Sequence, residues 1–262
     1  CGQLNHSRAI PEPVSCSCKN LEFCVCDDNR ITSLDVHGLS SLWYFMCFNN
    51  RLTSINVTGC TALKDLSCGF STEGDKLPAD GERNELTTID VSTCTALENF
   101  YCNGNNLETL NVSNLTHLKH LVCAQIKTLT SINLAGCTAL ENLNCRECSL
   151  PALNVDDCVS LKELYCYENK LKALDVSHCT KLWRLNAFNN DLPSLDMSNC
   201  PDLYELDCYS NKRLSSLNLT GCNKLEVLWA HGCNLPEIDL SDNPIPQTLL
   251  REHYRCHPLI IG

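Results

Sequence analysis

The sequence lacks the features that mark several common classes of protein. No apolar run approaches the roughly 18 residues that a membrane-spanning helix needs. The formal net charge is −11 at pH 7. Nucleic acids and anionic membranes attract basic surfaces, so this charge argues against either as a partner. The sequence contains no phosphate-binding loop of the form G-x-x-x-x-G-K-[ST], no G-x-S-x-G nucleophile elbow and no H-E-x-x-H pair. These absences argue against an enzyme, a nucleic-acid-binding protein and a protein with a cofactor or catalytic metal.

Cysteine, in contrast, is abundant, with 22 residues in the chain of 262. Most of these cysteines recur with a period of about 21 residues, and they fall into columns when the copies are aligned. The first column contains Cys26, Cys47, Cys68, Cys102, Cys123, Cys145, Cys166 and Cys208, with Ala187 and Ala230 in the same slot. The second contains Cys18, Cys60, Cys94, Cys137, Cys158, Cys179, Cys200 and Cys222, with Leu39 and Leu115 in the same slot. The third contains Asn29, Asn50, Asn105, Asn169, Asn190 and Asn211, with Cys148 and Cys233 as substitutes.

The repeating unit reads L-x-x-L-x-C-x-x-N-x-L-x-x-L-[DN]-V-S-x-C-x-x, which is a leucine-rich repeat with cysteine at two apolar positions. One copy cannot bury its apolar side alone, so the copies must stack into a solenoid with one continuous core. The L-x-C segments alternate inward and outward as strands do, with Leu164 and Cys166 inward. We therefore expect a β-rich, right-handed, curved array of about ten coils with a parallel concave sheet and little helix. We also expect the V-S-x-C segment to be extended.

The columns indicate a structural role for the cysteines, because a free thiol behaves as a small, readily buried hydrophobic group. Disulfides between neighbouring coils are a weaker alternative, since in-register parallel neighbours are poorly placed for the disulfide torsion. The spacing Cys16-x-Cys18…Cys24-x-Cys26 is that of metal ligands, but three of these residues are already explained by the repeat. A disulfide from Cys16 to Cys1 or to Cys24 is the alternative at this end. We predict no metal.

The 21-residue repeat with cysteine in place of a core leucine resembles the internalins, bacterial surface adhesins, and among them those with a cysteine ladder. The phrase Ile89-Asp90-Val91-Ser92-Thr93-Cys94-Thr95-Ala96-Leu97 is also similar to secreted repeat proteins of gut bacteria. The resemblance implies a curved solenoid displayed at the cell surface, with a protein or glycan ligand on its concave face. It predicts a secreted or surface location and no enzymatic activity. The opening Cys-Gly is that of a mature lipoprotein, so Cys1 is a candidate lipid attachment site; a chain boundary that falls on a cysteine by chance is the alternative.

The repeat divides the chain into a cap or linker over residues 1–17, a repeat domain over 18–243 and a terminal cap or tail over 244–262. The segment Thr248–Ile261 resembles a short piece of superfamily 1 helicases, but without a phosphate-binding loop it implies no helicase activity. We favour a cap, because terminal coils need their apolar side covered. The spacing breaks once, over residues 69–85, where 13 extra residues predict a loop at the rim of the concave face. Its carboxylates Glu73, Asp75, Asp80 and Glu82 show no ordered calcium-ligand pattern.

Aromatic residues are concentrated at the outward positions of the predicted concave strands, where binding hot spots are rich in such residues. The predicted ligand-binding residues are Tyr44, Phe48, Tyr101, Tyr165, Tyr167, Arg184, Phe188, Tyr209 and Trp229. Phe45 and Phe100 are assigned to the core instead. The same pattern could arise from cross-strand stacking that only stabilises the sheet. The sequence therefore predicts a recognition module, and we expect it to be a monomer. A spacer array in a larger surface protein is the alternative.

Overall fold

The repeat forms a solenoid whose every coil contributes one strand to a long parallel sheet. A computed structural model describes residues 14–15, 18–70, 83–241, 243 and 259–261. The ten-stranded sheet runs in chain order through β2 (Phe23–Val25), β4 (Tyr44–Met46), β6 (Asp65–Ser67), β7 (Asn99–Tyr101), β9 (His120–Val122), β11 (Asn142–Asn144), β12 (Glu163–Tyr165), β13 (Arg184–Asn186), β15 (Glu205–Asp207) and β17 (Val227–Trp229). Its strands pair in register, leucine beside leucine, so the predicted solenoid, its parallel sheet and its coil number are confirmed. The described residues contain no helix.

Shorter sheets lie on the opposite, convex side of the coils. They comprise β1 (Val14–Ser15), β3 (Ser33–Asp35) and β5 (Ser54–Asn56); β8 (Thr109–Asn111) and β10 (Ser131–Asn133); β14 (Ser194–Asp196) and β16 (Ser216–Asn218); and β18 (Glu237–Asp239) and β19 (Leu259–Ile261). Strand β19 pairs in parallel with β18, with Glu237 opposite Leu259, so the backbone adds one more rung beyond the last full coil. Because β19 is the only described part of the helicase-like segment, that resemblance and the predicted cap fall largely outside the described residues.

The convex side differs from expectation in one respect: the V-S-x-C segment is a turn, and the prediction of an extended segment is wrong. In the third coil the amide of Cys94 donates to the carbonyl of Val91 at 2.9 Å, which closes the turn. The side chain of Asp90 accepts from the amide of Ser92 at 2.9 Å. An aspartate or asparagine in this slot bonds the backbone two residues on and so favours a turn over a strand. The recurring Asp/Asn column is therefore structural.

The asparagine column joins neighbouring coils. The side-chain Nδ2 of Asn50 donates to the carbonyl of Cys26 at 2.8 Å in the preceding coil and to that of Cys47 at 3.2 Å in its own. Its Oδ1 accepts from the amide of Ile31 at 3.0 Å. Asn50 is fully buried, and these bonds satisfy backbone groups that the turn would otherwise leave unpaired.

The cysteines fill the core as predicted, with one exception. The 19 described cysteines are free thiols, and 16 of them are buried. The residues of the first column are completely buried from Cys47 to Cys208, and burial raises the pKa of the Cys166 thiol to about 12. Cys18, which the repeat places in the second column, is exposed. The reason is its position at the start of the array, where no complete coil precedes it.

The second column has a bonding role that the apolar interpretation did not include. Its thiols point at a carbonyl in the preceding coil: Cys60 Sγ lies 3.1 Å from the oxygen of Val36, and Cys137 Sγ lies 3.2 Å from that of Val112. Cys148, which replaces an asparagine, contacts the carbonyl of Cys123 at 3.3 Å. Cysteine is thus small enough for the core and still supplies a weak donor.

The predicted insertion leaves the columns in register. Residues 71–82, with Glu73, Asp75, Asp80 and Glu82, lie outside the described part of the chain. After them, Asn84 occupies the asparagine slot, which the sequence analysis did not assign to it. Its Nδ2 donates to the carbonyls of Cys47 and Cys68, both at 2.9 Å. One asparagine therefore closes the third coil despite the extra residues.

Candidate functional site

The outward side chains of the concave sheet form columns that run along the solenoid. Six of the nine predicted ligand-binding residues lie on the strands β12, β13, β15 and β17 or two residues after one of them: Tyr165, Tyr167, Arg184, Phe188, Tyr209 and Trp229. We call this region the distal patch. In it, Glu163 and Tyr165 are half-buried while Leu164 between them is fully buried, as strand alternation requires. Cys1, the candidate lipid attachment site, lies outside the described residues. The described residues include no helix long and apolar enough to cross a bilayer, and no group of three side chains suited to a metal ion.

One column of the distal patch is a continuous stack of rings. Tyr167 and Phe188 stack at 4.3 Å between ring centroids, Phe188 and Tyr209 at 4.4 Å, and Tyr209 and His231 at 4.5 Å. The planes differ by 13° or less, so each inner ring has both faces covered. At the other end the guanidinium of Arg146 lies 5.7 Å from the Tyr167 centroid. Three predicted residues are thus brought together, with their edges toward solvent.

Arg184 connects the middle of the patch to its rim. Its guanidinium donates to the Tyr165 hydroxyl at 3.1 Å and pairs with Glu205 at 2.6 Å. It also lies 4.8 Å from the ring centroid of Trp183. The pKa of Arg184 is raised, first by the hydrogen bond to Tyr165. Arg184 was predicted to bind the ligand, but its guanidinium already makes three contacts within the protein.

The next column contains two oxygens that lack partners. Asn186 and Asp207 are in-register neighbours, and Trp229 follows on the next strand. Within the described residues, Oδ1 of Asn186 and Oδ1 of Asp207 are both buried without a hydrogen-bond partner. Desolvation, and to a smaller degree the nearby Glu205, raises the pKa of Asp207 to about 7, although the backbone amide of Tyr209 opposes the shift. Asp207 is not among the ligand-binding residues predicted from the sequence, because nothing in a single sequence marks its burial.

A second aromatic column, of Trp183 and Tyr204, was missed because it precedes the strands. The ring centroids of Trp183 and Tyr204 lie 6.4 Å apart at the rim of the sheet where the strands begin, and Tyr204 is 38% exposed. Their spacing of 21 residues is that of the repeat and is the signal that could have identified them. The distal patch is therefore bordered by aromatic side chains on both sides, with charged and amide groups between them.

The remaining predicted residues lie elsewhere on the sheet. Tyr44 stacks on Phe23 at 4.7 Å, and Trp43 joins this exposed cluster at the proximal end. Phe48 is half-buried in the same coil as Tyr44. Tyr101 lies in the middle of the sheet, in register with Ser67 and Val122 of the neighbouring strands. These residues do not belong to the distal patch.

Between the two aromatic regions, one rim carries an alternating series of charges. Lys64 and Lys119 both pair with Glu98, at 3.2 and 2.7 Å, and Lys162 pairs with Glu141 at 2.9 Å. Exposed pairs of this kind contribute little stability singly, but they satisfy one another's charge. The distal patch is thus separated from the proximal cluster by a rim whose charges are already paired.

Comparison with known proteins gives structural matches only. No protein-family model matches the chain, and no curated protein matches it in sequence. The functional domain of InlJ from Listeria monocytogenes, which includes a cysteine ladder, superposes with a TM-score of 0.62 at 26% identity, over 86% of this chain. The chain spans 57% of the length of that protein.

Two further solved structures show the same fold. A leucine-rich repeat protein of Leptospira interrogans superposes with a TM-score of 0.63 at 22% identity, over 93% of this chain and 73% of its own. The ectodomain of the receptor kinase GASSHO1/SCHENGEN3 from Arabidopsis thaliana gives 0.51 at 18% identity, over 87% and 33%. The chain is therefore a leucine-rich repeat solenoid with a cysteine ladder, and the resemblance to internalin-type proteins that its sequence predicts is confirmed at the level of structure.

Proposed function

We propose that this chain is a non-enzymatic recognition module, secreted or displayed at the cell surface, that binds a protein ligand on the distal patch. The observation that carries the proposal is the pairing of two aromatic columns with a polar column between them on one half-exposed surface. Aromatic residues beside buried polar groups are typical of interface hot spots. The receptor-kinase ectodomain with this fold was solved in complex with CASPARIAN STRIP INTEGRITY FACTOR 2, so in that protein the fold carries a partner.

The ring stack favours a protein ligand over a glycan. Sugars typically bind aromatic residues by lying flat on a ring face, whereas Phe188 and Tyr209 have both faces covered by neighbouring rings. Ring edges remain, and these suit the side chains and backbone of a polypeptide. We therefore assign the ligand to the protein class.

The alternative, a spacer array without its own ligand, also has an observation in its favour. Parallel rings at 4.3–4.5 Å stabilise neighbouring strands whether or not a ligand binds. Such a role requires only the stack. It gives no reason for Trp183 and Tyr204 on the opposite rim, so we prefer recognition.

The proposal is tested by screening the chain against arrays of extracellular proteins, peptides and glycans, and then repeating each hit with variants. Tyr167→Ala combined with Trp229→Ala should weaken a genuine protein ligand at least tenfold, since hot-spot aromatic residues contribute about 1–3 kcal/mol each. Lys172→Ala with Lys181→Ala, at exposed sites outside the concave sheet, is the matched control and should leave affinity unchanged. Equal binding by the two double variants would contradict the assignment to the distal patch.

A further inference from the structure

Asp207 and Asn186 form a polar position that the protein does not complete by itself. Each presents a buried Oδ1 without a hydrogen-bond partner within the described residues. A buried acceptor without a partner costs free energy of folding. Here there are two such acceptors, one on each of the adjacent strands β13 and β15. Two neighbouring oxygens of this kind call for a donor, and a group with several donors would serve both.

The cationic side chains nearby cannot fill this role. Arg184, on the same strand as Asn186, pairs with Glu205 and donates to Tyr165. Arg146 lies three coils before Asp207 and donates to the Tyr167 hydroxyl. In the part of the chain that the structure describes, no lysine, arginine or histidine pairs with Asp207.

The surroundings suit a cation from outside. Trp229 follows Asp207 in the same column of the sheet. An ammonium or guanidinium group is attracted both to carboxylate oxygens and to aromatic rings. Asp207 as a residue is only partly buried, so a ligand cation can approach its carboxyl group from the concave side. Because Oδ1 is itself buried, the side chain must rotate to present that oxygen to the cation.

We infer that Asp207 and Asn186, flanked by Trp229, form a subsite for a lysine or arginine side chain of the protein ligand. This inference rests on the proposed function for its biological role, but the subsite itself can be examined without the ligand. A bound cation supplies the missing donors and offsets the desolvation of the carboxylate. The subsite therefore selects for a basic residue in the partner.

Binding at this subsite should also depend on pH. The cation favours the ionised carboxylate, and the raised pKa of Asp207, about 7, places its ionisation near neutrality. Affinity should rise from pH 6 to pH 8. The other titratable or charged groups near this position are Arg184 on β13, Glu205 and Tyr209 from the coil of β15, and His231 and Cys233 after β17. A variant at Asp207 shows whether the pH dependence comes from this carboxyl group.

The experiment uses N-acetyl-arginine amide and N-acetyl-lysine amide as probes, with N-acetyl-norleucine amide as an uncharged control of similar length. Binding is followed by the indole NMR signal of Trp229, one of three tryptophans, assigned with Trp229→Phe. We expect saturable binding of at least one cationic probe, weakened at least fivefold by Asp207→Asn and by lowering the pH from 8 to 6. The pH dependence should largely disappear in Asp207→Asn.

Asp65→Asn is the matched control, because Asp65 lies on the same sheet but already accepts a hydrogen bond from Asn99. It should bind the probes as the parent does. Absence of binding by both cationic probes, equal binding of norleucine amide, or no effect of Asp207→Asn would overturn the subsite. Loss of a macromolecular ligand in the aromatic double variant together with unchanged probe binding by Asp207→Asn would leave the proposed function intact. Probe binding that depends on Asp207 in a chain with no protein ligand would support the subsite and count against the recognition role.

Discussion

The side chain of Asn50 donates a hydrogen bond of 2.8 Å to the carbonyl oxygen of Cys26, 24 residues earlier in the chain. This bond connects one coil to the one before it. Asn29, at the first coil, has the same residue type in the same slot, but within the described residues its amide donates only to the carbonyls of Cys26 and Asp27 in its own coil. Comparing the two residues therefore separates the contribution of the bond between coils from that of the bonds within one coil.

Asn50→Ala should lower the free energy of unfolding by about 1–3 kcal/mol, because it leaves buried backbone groups without partners. Asn29→Ala should cost clearly less, since it removes only local bonds in a partly buried turn. Urea unfolding followed by circular dichroism measures both. Equal losses would show that the bond between coils adds nothing to the local ones.

The effect of serine should depend on which cysteine column it enters. At Cys166 the structure gives no acceptor for a side-chain donor among the described residues, so Cys166→Ser should cost about 1–3 kcal/mol. At Cys137 the hydroxyl can donate to the carbonyl of Val112, as the thiol does at 3.2 Å, and the cost should be smaller. Alanine should be tolerated at the Cys166 slot, since Ala187 and Ala230 already occupy it.

Urea midpoints of Cys166→Ser, Cys166→Ala and Cys137→Ser test this order. The expected result is that Cys166→Ser is the least stable of the three. A Cys137→Ser variant at least as unstable as Cys166→Ser would show that the thiol-to-carbonyl contact does not distinguish the columns.

The native chain should react slowly with thiol reagents at most of its cysteines. Among the described residues only Cys18 is exposed and only Cys24 and Cys233 are partly exposed. The reactive species is the thiolate, and burial raises the pKa of ladder thiols such as Cys94 to about 12. Titration at pH 8, with mass spectrometry of the labelled peptides, should find Cys18, Cys24 and Cys233 modified first. Rapid labelling of Cys94 or Cys166 before unfolding is the result that would refute a closed core.

Acid should destabilise the solenoid through the turns of its convex side. Hydrogen bonds to Ser92 and Ser177 lower the pKa of Asp90 and Asp175 in the folded state. A carboxyl whose folded pKa is depressed stabilises the protein above its unfolded pKa of about 4, and this contribution is lost as the pH falls through the folded pKa. Asparagine fills the same slot at Asn56, so Asp90→Asn with Asp175→Asn should fold and should lose less stability between pH 5 and pH 3. Urea midpoints across that range provide the measurement.

Asp207 should behave in the opposite way. Its folded pKa, about 7, lies above the unfolded value, so its contribution is most favourable below pH 4 and becomes a penalty as the pH rises through 7. Asp207→Asn should therefore stabilise the chain at pH 8, by up to about 2 kcal/mol after allowance for partial exposure. Asp65→Asn, which removes a carboxylate with a partner, should not. A less stable Asp207→Asn at pH 8 would contradict the penalty.

The periodic part of the fold was predictable because each coil repeats the same burial problem. The spacing from Leu164 to Cys166 places both side chains in the core, and the same reasoning predicts the ten strands of the long sheet. Cys18 was assigned wrongly because the end of an array has no neighbouring coil on one side. The turn at Val91–Cys94 was assigned wrongly because the bond from Ser92 to Asp90 outweighs the strand preference of valine.

The candidate site was less predictable than the fold. Outward positions could be assigned to Tyr167 and Phe188, but their stacking distance depends on how neighbouring strands meet. The unusual state of Asp207 depends on its neighbours on two other strands, and a single sequence does not display that environment. Trp183 was overlooked because it comes just before its strand begins.

Asn84 shows how the array tolerates changes in length. It makes the same contacts as Asn50 although 13 more residues separate it from the cysteine of its coil. The architecture depends on which groups meet at each rung and not on how much chain runs between them. Such a position is a natural place for foreign sequence: a peptide epitope or a small domain grafted between residues 71 and 82 should leave the neighbouring coils in alignment. The same property makes this solenoid a practical starting point for engineered display scaffolds.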